Sequence, residues 1–405
     1  MNKKFIILAA MAAVFGMSFT ACSNEDEIGK SGNSTFEPTR AISFNSYMDG
    51  VGATRAYNAS VADIQTDGIS VWAFDATKET AISAAADFFM GGPTAGLAHT
   101  YGQTGYTEVW KATADYFWPE YNLNFVAMTP QTGGGIGVIG ISQAAATGEP
   151  AVPSKPVMTV AVDVPLTTES AGTYGADTQK DIMFASLEDQ GAPTGFAAAN
   201  LTFKHGLSQL VFKGVIDHET TIHKAVVKSI KLVNVASDGT LTYTAATDGI
   251  AASGWGSQNK TYAANIVNTT VTKLDNNTEG AGGTVLVDAI SGQDDNASGR
   301  NYQLMIMPQT SVECEDLGIT ENLSQLDAPT TGTYLLVNAT LYANNNNANA
   351  VLENTTNVYI PLAETVWAPN TKYTYTLKFG DNLLHPITFT ASISDWSTAD
   401  KSVEF

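Results

Sequence analysis

The stretch Ile69-Ser70-Val71-Trp72-Ala73-Phe74, ended by Asp75, sets the pattern for the fold. It is short, rich in β-branched and aromatic residues and closed by a turn former, as a β-strand should be. Similar segments follow at residues 107–110 and 122–128. Amphipathic helical patterns are scarce, and only residues 81–90 predict a helical turn or two. The stretch and its neighbours therefore indicate an all-β fold.

Segments of the same character continue along the rest of the sequence, separated by Gly, Asn and Pro. They lie at residues 157–164, 226–235, 240–244, 284–288, 302–307, 334–342, 358–362, 372–379 and 386–394. Many short strands with frequent turn signals are typical of antiparallel sandwiches. Residues 191–199 are small and linker-like. We therefore predict two tandem antiparallel β-sandwich domains, at residues 56–198 and 199–405.

Composition limits the classes of partner. The chain has 405 residues, which is enough for two domains of ordinary size. Only 15% of the residues are charged, yet 40 acids face 20 bases, for a net charge of −20. This charge argues against nucleic acid and against binding of the body to anionic membrane surfaces. The low charged fraction is typical of an extracellular protein.

Residues 1–21 have the three parts of a secretory signal. Lys3 and Lys4 precede an apolar core at residues 5–19, and the small residues Thr20-Ala21 stand before Cys22. The apolar core is shorter than the roughly 20 residues that a membrane-spanning helix needs. We therefore predict a removed export signal.

Cys22 follows small residues at the end of the apolar core, as in a bacterial lipoprotein processing site, although Phe19 departs from the usual aliphatic residue. In this interpretation Cys22 becomes the first mature residue and carries acyl chains that anchor the protein to a membrane. The alternative is an ordinary signal peptide with an incidental cysteine. The only other cysteine is Cys314, which we expect to be a buried, small apolar residue.

Residues 22–55 form a tether that contains one strand. The acidic run Glu25-Asp26-Glu27 is either a plain solvated segment or a surface-export signal of outer-membrane lipoproteins. After it come Ala41-Ile42-Ser43-Phe44-Asn45-Ser46-Tyr47 and then Ala53-Thr54-Arg55-Ala56. Ile42 and Phe44 alternate on one face of a strand.

Several local sequence patterns resemble cofactor or metal sites but have simpler structural explanations. Residues 135–140 match G-x-G-x-x-G, yet no helical pattern follows, so we expect a loop and not a dinucleotide site. His218 and His223 are five residues apart, whereas a zinc-protease helix needs four. Residues 275–277 and 294–296 are Asx-rich and are expected to be turns. We expect no enzyme activity, no cofactor and no metal.

Landmarks in a fixed order along the chain resemble the fimbrillins, the type V pilins of Gram-negative anaerobes. The resemblance begins with Cys22 and its acidic tail, Ile42-Ser43-Phe44, and Thr54-Arg55-Ala56. It continues with Tyr116-Phe117-Trp118-Pro119, Leu123-Asn124-Phe125-Val126-Ala127, Phe203-Lys204-His205-Gly206-Leu207, Met307-Pro308-Gln309, Trp367-Ala368-Pro369-Asn370-Thr371-Lys372-Tyr373-Thr374-Tyr375 and Ile393-Ser394-Asp395-Trp396. The glycine usual between Pro369 and Lys372 is absent, and Asn370-Thr371 stands there.

The resemblance implies transthyretin-like sandwiches and a lipoprotein precursor that is cut by an Arg-specific surface protease. By analogy the cut falls between Arg55 and Ala56 and removes the anchor with the first strand. Ile42, Phe44 and Tyr47 would fill the core before cleavage. A cut at Arg40 would remove the lipid and leave this strand in place.

Removal of one strand would expose apolar core and unpaired backbone groups, which a strand of a neighbouring subunit can cover. The expected donor is the C-terminal tail, with Ile393, Trp396, Val403 and Phe405 as groove fillers; the alternative is that the tail pairs within its own domain. Repeated head to tail, such contacts build an open filament.

The expected partners are other pilin subunits, the Arg-specific protease, the outer membrane through the lipid on the precursor, and a host glycan or protein. The expected location is the outer-membrane surface and then the fimbria. A second interpretation is a non-polymerising surface lipoprotein or a tip adhesin that binds glycan or host protein. Trp255, between Gly254 and Gly256, is a candidate for sugar binding.

Overall fold

The computed structural model describes residues 41–48, 65, 67–103, 106–131, 136–148, 152, 154–164, 169–170, 173–174, 181–193, 197–216, 222–263, 269–272, 284–285, 304–314, 329, 331–343, 351–362, 365–380, 388–395 and 401–402. These residues are mostly β-strand, with 3-10 turns at Ala85–Asp87 and Ala245–Thr247. The prediction of an all-β fold is confirmed. No helix among the described residues is long and apolar enough to cross a membrane.

The strands are numbered in chain order. Those of the first half are β1 (Phe44–Met48), β2 (Ile69–Asp75), β3 (Phe88–Met90), β4 (Leu97–Gln103), β5 (Tyr106–Ala112), β6 (Leu123–Thr129), β7 (Ile136–Ser142), β8 (Val157–Asp163), β9 (Glu169–Ser170), β10 (Thr173–Tyr174), β11 (Met183–Gln190) and β12 (Ala199–His205). Those of the second half are β13 (Ser208–Ile216), β14 (Lys224–Val235), β15 (Asp238–Thr244), β16 (Gly249–Ser253), β17 (Lys260–Ala263), β18 (Thr269–Thr272), β19 (Thr284–Val285), β20 (Leu304–Ile306), β21 (Gln309–Thr310), β22 (Tyr334–Tyr342), β23 (Val351–Pro361), β24 (Val366–Trp367), β25 (Thr371–Phe379), β26 (Thr388–Asp395) and β27 (Lys401–Ser402).

Seven strands of the first half form a sheet that closes on itself. The order is β2-β4-β5-β1-β12-β11-β6, and β6 pairs back with β2. Alternate residues of β12 point inward, so that Leu201 and Phe203 are buried while Asn200 and Thr202 are exposed. The ring encloses a core of its own: Ile42, Phe44, Ile69, Val71, Ala73, Met90, Trp110, Leu123, Phe125, Ala127, Met183, Ala185, Ala199, Leu201 and Phe203.

A four-stranded sheet, β16-β15-β8-β7, joins strands from the two halves of the chain. Its strand β7 contains most of the G-x-G-x-x-G stretch, so the prediction of a loop at residues 135–140 was wrong. Ile136 and Ile141 are buried and hold β7 against the core. A Cβ atom at Gly137 or Gly140 would meet nothing within 4 Å, so neither glycine marks a close approach of the backbone to another group.

The predicted helical turn at residues 81–90 is shorter than expected. The carboxylate of Asp87 accepts hydrogen bonds from the backbone N–H groups of Ser83 and Ala84, at 3.1 and 2.9 Å, and closes a single 3-10 turn. Phe88 then begins β3, which pairs with β2. Pairing with the sheet therefore ends the turn.

Two further sheets make up most of the second half. In one, β13 pairs in parallel with β25 and β25 pairs with β26; in the other, β14 lies beside β22, which pairs with β23. Phe212 and Tyr375 stack with ring centroids 5.7 Å apart, and both are fully buried. The β13–β25 pair, like β1–β12, departs from the expected antiparallel pattern.

The two halves share contacts across the expected boundary. Strand β12, which begins at Ala199, pairs with β1 and β11 and so belongs to the ring of the first half. One apolar cluster extends from Trp72 in β2 to Phe379 in β25. A boundary at residue 198 stays a prediction, and the strand pairing favours a division after His205.

Candidate functional site

Strand β1 lies between β12 and β5 and completes the ring. It runs parallel to β12, in register from Phe44 opposite Ala199 to Met48 opposite Phe203. Its pairing with β5 is limited to Phe44 opposite Trp110. Strand β12 therefore forms most of the binding site of β1, because it pairs with all five residues of β1.

Backbone hydrogen bonds fix the beginning of this segment. The N–H of Ile42 donates to the carbonyl of Tyr116 at 2.7 Å, and the carbonyl of Ser43 accepts from the N–H of Ala199 at 2.9 Å. Ala41 forms a β-bridge with Phe117. These bonds hold residues 41–43 on the wall of the ring before β1 begins.

Two of the three residues predicted to fill the core before cleavage lie inside the ring. Ile42 is 2% exposed and Phe44 is fully buried. The ring of Phe44 meets His99 and Phe125 edge to face, with centroids 5.4 and 5.2 Å apart. Aromatic pairs of this geometry add to the gain from burial alone. For Tyr47 the structure gives only its backbone, which lies opposite Thr202.

Ser46 is a member of this site that the sequence reasoning missed. It is 9% exposed, and its Oγ accepts a hydrogen bond of 3.0 Å from Nε1 of the fully buried Trp110. Asn45, on the opposite face of β1, donates from its side chain to Oδ1 of Asn200 at 3.1 Å. The alternation that placed Ile42 and Phe44 on one face continues to Ser46, so the signal was present in the sequence.

His99 on β4 packs against the ring of Phe44. Its Nδ1 is 2.9 Å from the carbonyl of Leu97, to which it donates, and its Nε2 has no hydrogen-bond partner among the described residues. Burial disfavours the charged imidazolium and lowers the pKa of His99 to about 4. The imidazole is therefore neutral near pH 7 and offers an unused acceptor to the interior of the ring.

The predicted donor residues have a different position. Ile393 lies in β26, where its backbone is opposite Tyr373 of β25 and Lys401 of β27. Trp396, Val403 and Phe405 lie outside the described residues. In the single chain, β26 therefore pairs within its own half.

The remaining predicted sites fall mostly outside the described part of the chain. These are Cys22, Arg55, Ala56, His218 and the Asx-rich residues 275–277 and 294–296. Within the described residues, no group of three or more His, Cys, Asp or Glu is placed to hold a metal ion. Cys314 is half-buried, not buried as expected, and its thiol donates to the carbonyl of Thr333 at 3.4 Å.

Trp255 is 42% exposed at the edge of the four-stranded sheet. Its Cδ1 would be 3.3 Å from a Cβ atom at Gly239. Gly239, Asp163 and Asp238 are among the residues that line an open depression of about 300 Å³. Trp255 adjoins this depression but does not line it.

Comparisons with known proteins agree with the architecture. The sequence profile of the fimbrillin-like family matches residues 54–396. A fimbrial protein from Bacteroides vulgatus is 16% identical, with 88% of this chain and 99% of that chain covered and a TM-score of 0.52, so the two share a fold. No curated protein is similar in sequence.

Two solved structures of candidate cell adhesion proteins are more distant. The protein from Bacteroides uniformis is 12% identical, with 88% of this chain and 98% of that chain covered and a TM-score of 0.42. The protein from Bacteroides ovatus is 12% identical, with coverage of 89% and 99% and a TM-score of 0.44.

Proposed function

The chain belongs to the fimbrillin-like family, and we propose that it is a structural or adhesive subunit of a cell-surface fimbria that polymerises by donor-strand exchange. Two features of the chain support this function. They are the position of strand β1 in the ring and the residues that precede it.

The observation that carries the proposal is the position of β1 in the ring. This strand is close to the beginning of the chain, yet it contributes Ile42 and Phe44 to the core and pairs with β12 over five residues. Its removal would expose the inner face of the ring and the unpaired edge of β12. Both exposures cost free energy, and a strand of another subunit would offset that cost.

The residues that precede β1 would deliver the protein to the cell surface. In this proposal residues 1–21 direct export, Cys22 carries the lipid, and the acidic run after it accompanies transport to the outer surface of the outer membrane. An Arg-specific surface protease then cuts between Arg55 and Ala56. The cut releases the lipid anchor together with β1, and the subunit passes from the membrane to the fimbria.

The partners follow from the same mechanism. A subunit with an open ring would accept the C-terminal tail of a second subunit, with Ile393, Trp396, Val403 and Phe405 as groove-filling residues. Because each subunit both donates and accepts, the contact repeats head to tail and gives an open filament. The filament or its tip would meet a host glycan or protein.

A second function is favoured by one observation. Strand β26 pairs with β25 over eight residues, from Asp395 opposite Thr371 to Thr388 opposite Lys378. A tail that keeps this pairing is not available to a neighbour. The chain would then be a non-polymerising surface lipoprotein or a tip adhesin.

Controlled proteolysis of the precursor separates these functions. The sequence contains three arginines, Arg40, Arg55 and Arg300. Precursor with Cys22→Ala and Arg300→Lys is treated with an Arg-specific protease and followed by intact mass and unboiled gels. A cut after Arg55 with a ladder of oligomers is expected. A cut after Arg55 that leaves monomers would favour the second function.

A further inference from the structure

His99 on β4 is covered by a residue of the strand that cleavage would remove. The ring of Phe44 stands edge to face against the imidazole, with centroids 5.4 Å apart, and both side chains are fully buried. Phe44 belongs to β1, which lies in the wall of the ring between β12 and β5. Loss of β1 would therefore take away a side chain that separates this imidazole from solvent.

The hydrogen-bonding capacity of the imidazole of His99 is only half used in this position. Its Nδ1 donates to the carbonyl of Leu97, whereas its Nε2 has no hydrogen-bond partner among the described residues. A proton on Nε2 would create a charged donor inside the ring with no group to accept from it. Burying a charge without a partner is costly, so the bound strand disfavours protonation. Departure of β1 would let water reach Nε2 and would remove this cost.

The neighbouring strands place one charged group near His99. The residues that lie opposite His99 in the sheet or donate to its carbonyl are uncharged: Ile69 of β2, Ala112 of β5 and Gln131, which follows β6. Among the described residues, the charge that acts on the imidazole is that of Lys111 on β5, which opposes a second positive charge nearby. The ammonium of Lys111 pairs with the carboxylate of Asp115. Both groups remain when β1 leaves, so the main change at His99 is its access to solvent.

We infer that weak acid promotes release of β1, because His99 takes up a proton when the strand that covers it departs. The cut precursor would then retain β1 at neutral pH and lose it as the pH falls. The inference rests on the proposed cleavage between Arg55 and Ala56 and adds a condition to it. Cleavage separates β1 from the rest of the chain, and acidity then frees the separated strand.

The size of the effect follows from the two environments of the imidazole. Burial lowers the pKa of His99 from the ordinary value of 6.5 to about 4 while β1 is bound. Between these pH values the released state binds one proton more than the bound state, so release becomes more favourable as the pH falls. Full exposure of His99 after release would raise the dissociation constant of β1 about 30-fold between pH 7.5 and pH 5.

The test uses precursor without the signal residues 1–21. Arg40→Lys and Arg300→Lys restrict an Arg-specific protease to the bond after Arg55, so that β1 leaves on a single leader fragment. Cys314→Ser leaves Cys22 as the single thiol of the protein, and Cys22 takes a fluorescent dye. The dye therefore reports on the leader fragment alone.

Release is measured on this labelled protein after it has been cut at pH 7.5. The sample is diluted in steps at pH 7.5 and at pH 5, and fluorescence anisotropy gives the dissociation constant of the leader fragment at each pH. Uncut labelled protein, from which the fragment cannot leave, gives the anisotropy of the bound state. Unboiled gels of the undiluted cut sample record any oligomers.

Two variants isolate the imidazole, and a third is the matched control. His99→Asn and His99→Gln each keep an amide that can donate to the carbonyl of Leu97, and neither amide titrates in this range. His223→Asn replaces an exposed histidine and keeps His99. All three variants keep Lys111 and Asp115, so titration elsewhere in the protein contributes equally to the parent and the variants. Circular dichroism confirms that each variant is folded.

We expect the dissociation constant to rise about 30-fold between pH 7.5 and pH 5 for the parent and His223→Asn, and less than about 3-fold for the two His99 variants. Equal rises in the parent and the His99 variants would overturn the role of His99. A leader fragment that is bound equally, or lost equally, by the parent at both pH values would overturn release by acid. A ladder of oligomers alongside either of these results would leave the proposed polymerisation intact. Release that depends on His99, without a ladder, would contradict polymerisation alone.

Discussion

The ring of Phe44 stands edge to face against the ring of Phe125, with centroids 5.2 Å apart and planes at 79°. Phe44 comes from the strand that cleavage would remove, whereas Phe125 lies in β6, within the part that would remain. The stability of the closed ring therefore depends directly on Phe44, a residue of β1. This dependence can be measured in the precursor before any assembly.

Replacement of Phe44 by alanine should destabilise the uncut precursor by about 3–5 kcal/mol, because it leaves a cavity between His99 and Phe125. Phe44→Leu, which keeps much of the volume, should cost less. Urea unfolding at pH 7 gives both values. Asn45→Ala is the control on the same strand, and it should change the free energy of unfolding by no more than about 1 kcal/mol, because its bond to Asn200 is at the surface. Equal losses for Phe44→Ala and Asn45→Ala would contradict the role of Phe44 as a core plug.

Arg55→Lys should block assembly by leaving β1 attached. In precursor that also carries Arg300→Lys, an Arg-specific protease should cut this variant only after Arg40, which removes the lipid but keeps Ile42 and Phe44 in the ring. Intact mass identifies the cut, and unboiled gels should show monomers. Arg40→Lys is the matched control and should polymerise as the parent protein does. A ladder of oligomers from Arg55→Lys would show that removal of β1 is not required.

His99 should make the precursor less stable in weak acid. Its pKa is lowered from the ordinary value of 6.5 to about 4 in the folded protein, mainly by burial. The unfolded chain therefore takes up a proton from about pH 6.5 downward, while the folded chain does so only near pH 4. Stability that is present above pH 6.5 is lost between these values, by up to about 3 kcal/mol in total.

The variant His99→Asn isolates this effect from the many carboxylates of the chain. An asparagine amide can keep the donor to the carbonyl of Leu97 and does not titrate in this range. Unfolding free energies at pH 7 and pH 4.5 should fall more steeply for the parent than for the variant. His223→Asn, at an exposed position, should follow the parent. Parallel pH profiles for the parent and His99→Asn would refute a neutral, buried imidazole.

The local pattern of the sequence was enough to place strands but not to pair them. Alternation and composition located β2 and β6 to within a residue or so, because each carries its own run of β-branched and aromatic residues. The parallel pairing of β1 with β12 joins residues more than 150 positions apart, and no local signal announces it. For the same reason the sequence did not predict that the first sheet closes on itself. It also did not predict that β12, which follows the expected domain boundary at residue 198, belongs to that sheet.

The candidate site was predicted only in part, because alternation is a local signal whereas the contacts of the site join distant strands. The face shared by Ile42 and Phe44 follows from alternation, since successive side chains of a strand point to opposite sides. The contact of Phe44 with His99 depends on β4, which reaches the seat only through the folded sheet. The strand β7 was missed because its glycines resemble a loop, whereas its pairing with β8 decides its conformation.

Tyr243→Phe should weaken the connection between the two halves of the chain. The ring of Tyr243 on β15 stacks on Phe184 of β11, with centroids 5.4 Å apart, and its hydroxyl lies 2.7 Å from Oγ of Ser186 and 2.6 Å from the carboxylate of Asp248. Loss of the hydroxyl leaves both partners without this bond and should cost about 1–2 kcal/mol. Tyr359→Phe, at a half-buried position on β23, is the control and should stay within about 0.5 kcal/mol of the parent. Chemical denaturation followed by circular dichroism measures both. Because the contact joins the halves, Tyr243→Ala should in addition broaden the single transition or divide it in two, and an unchanged, single sharp transition in that variant would mean that other contacts hold the halves together.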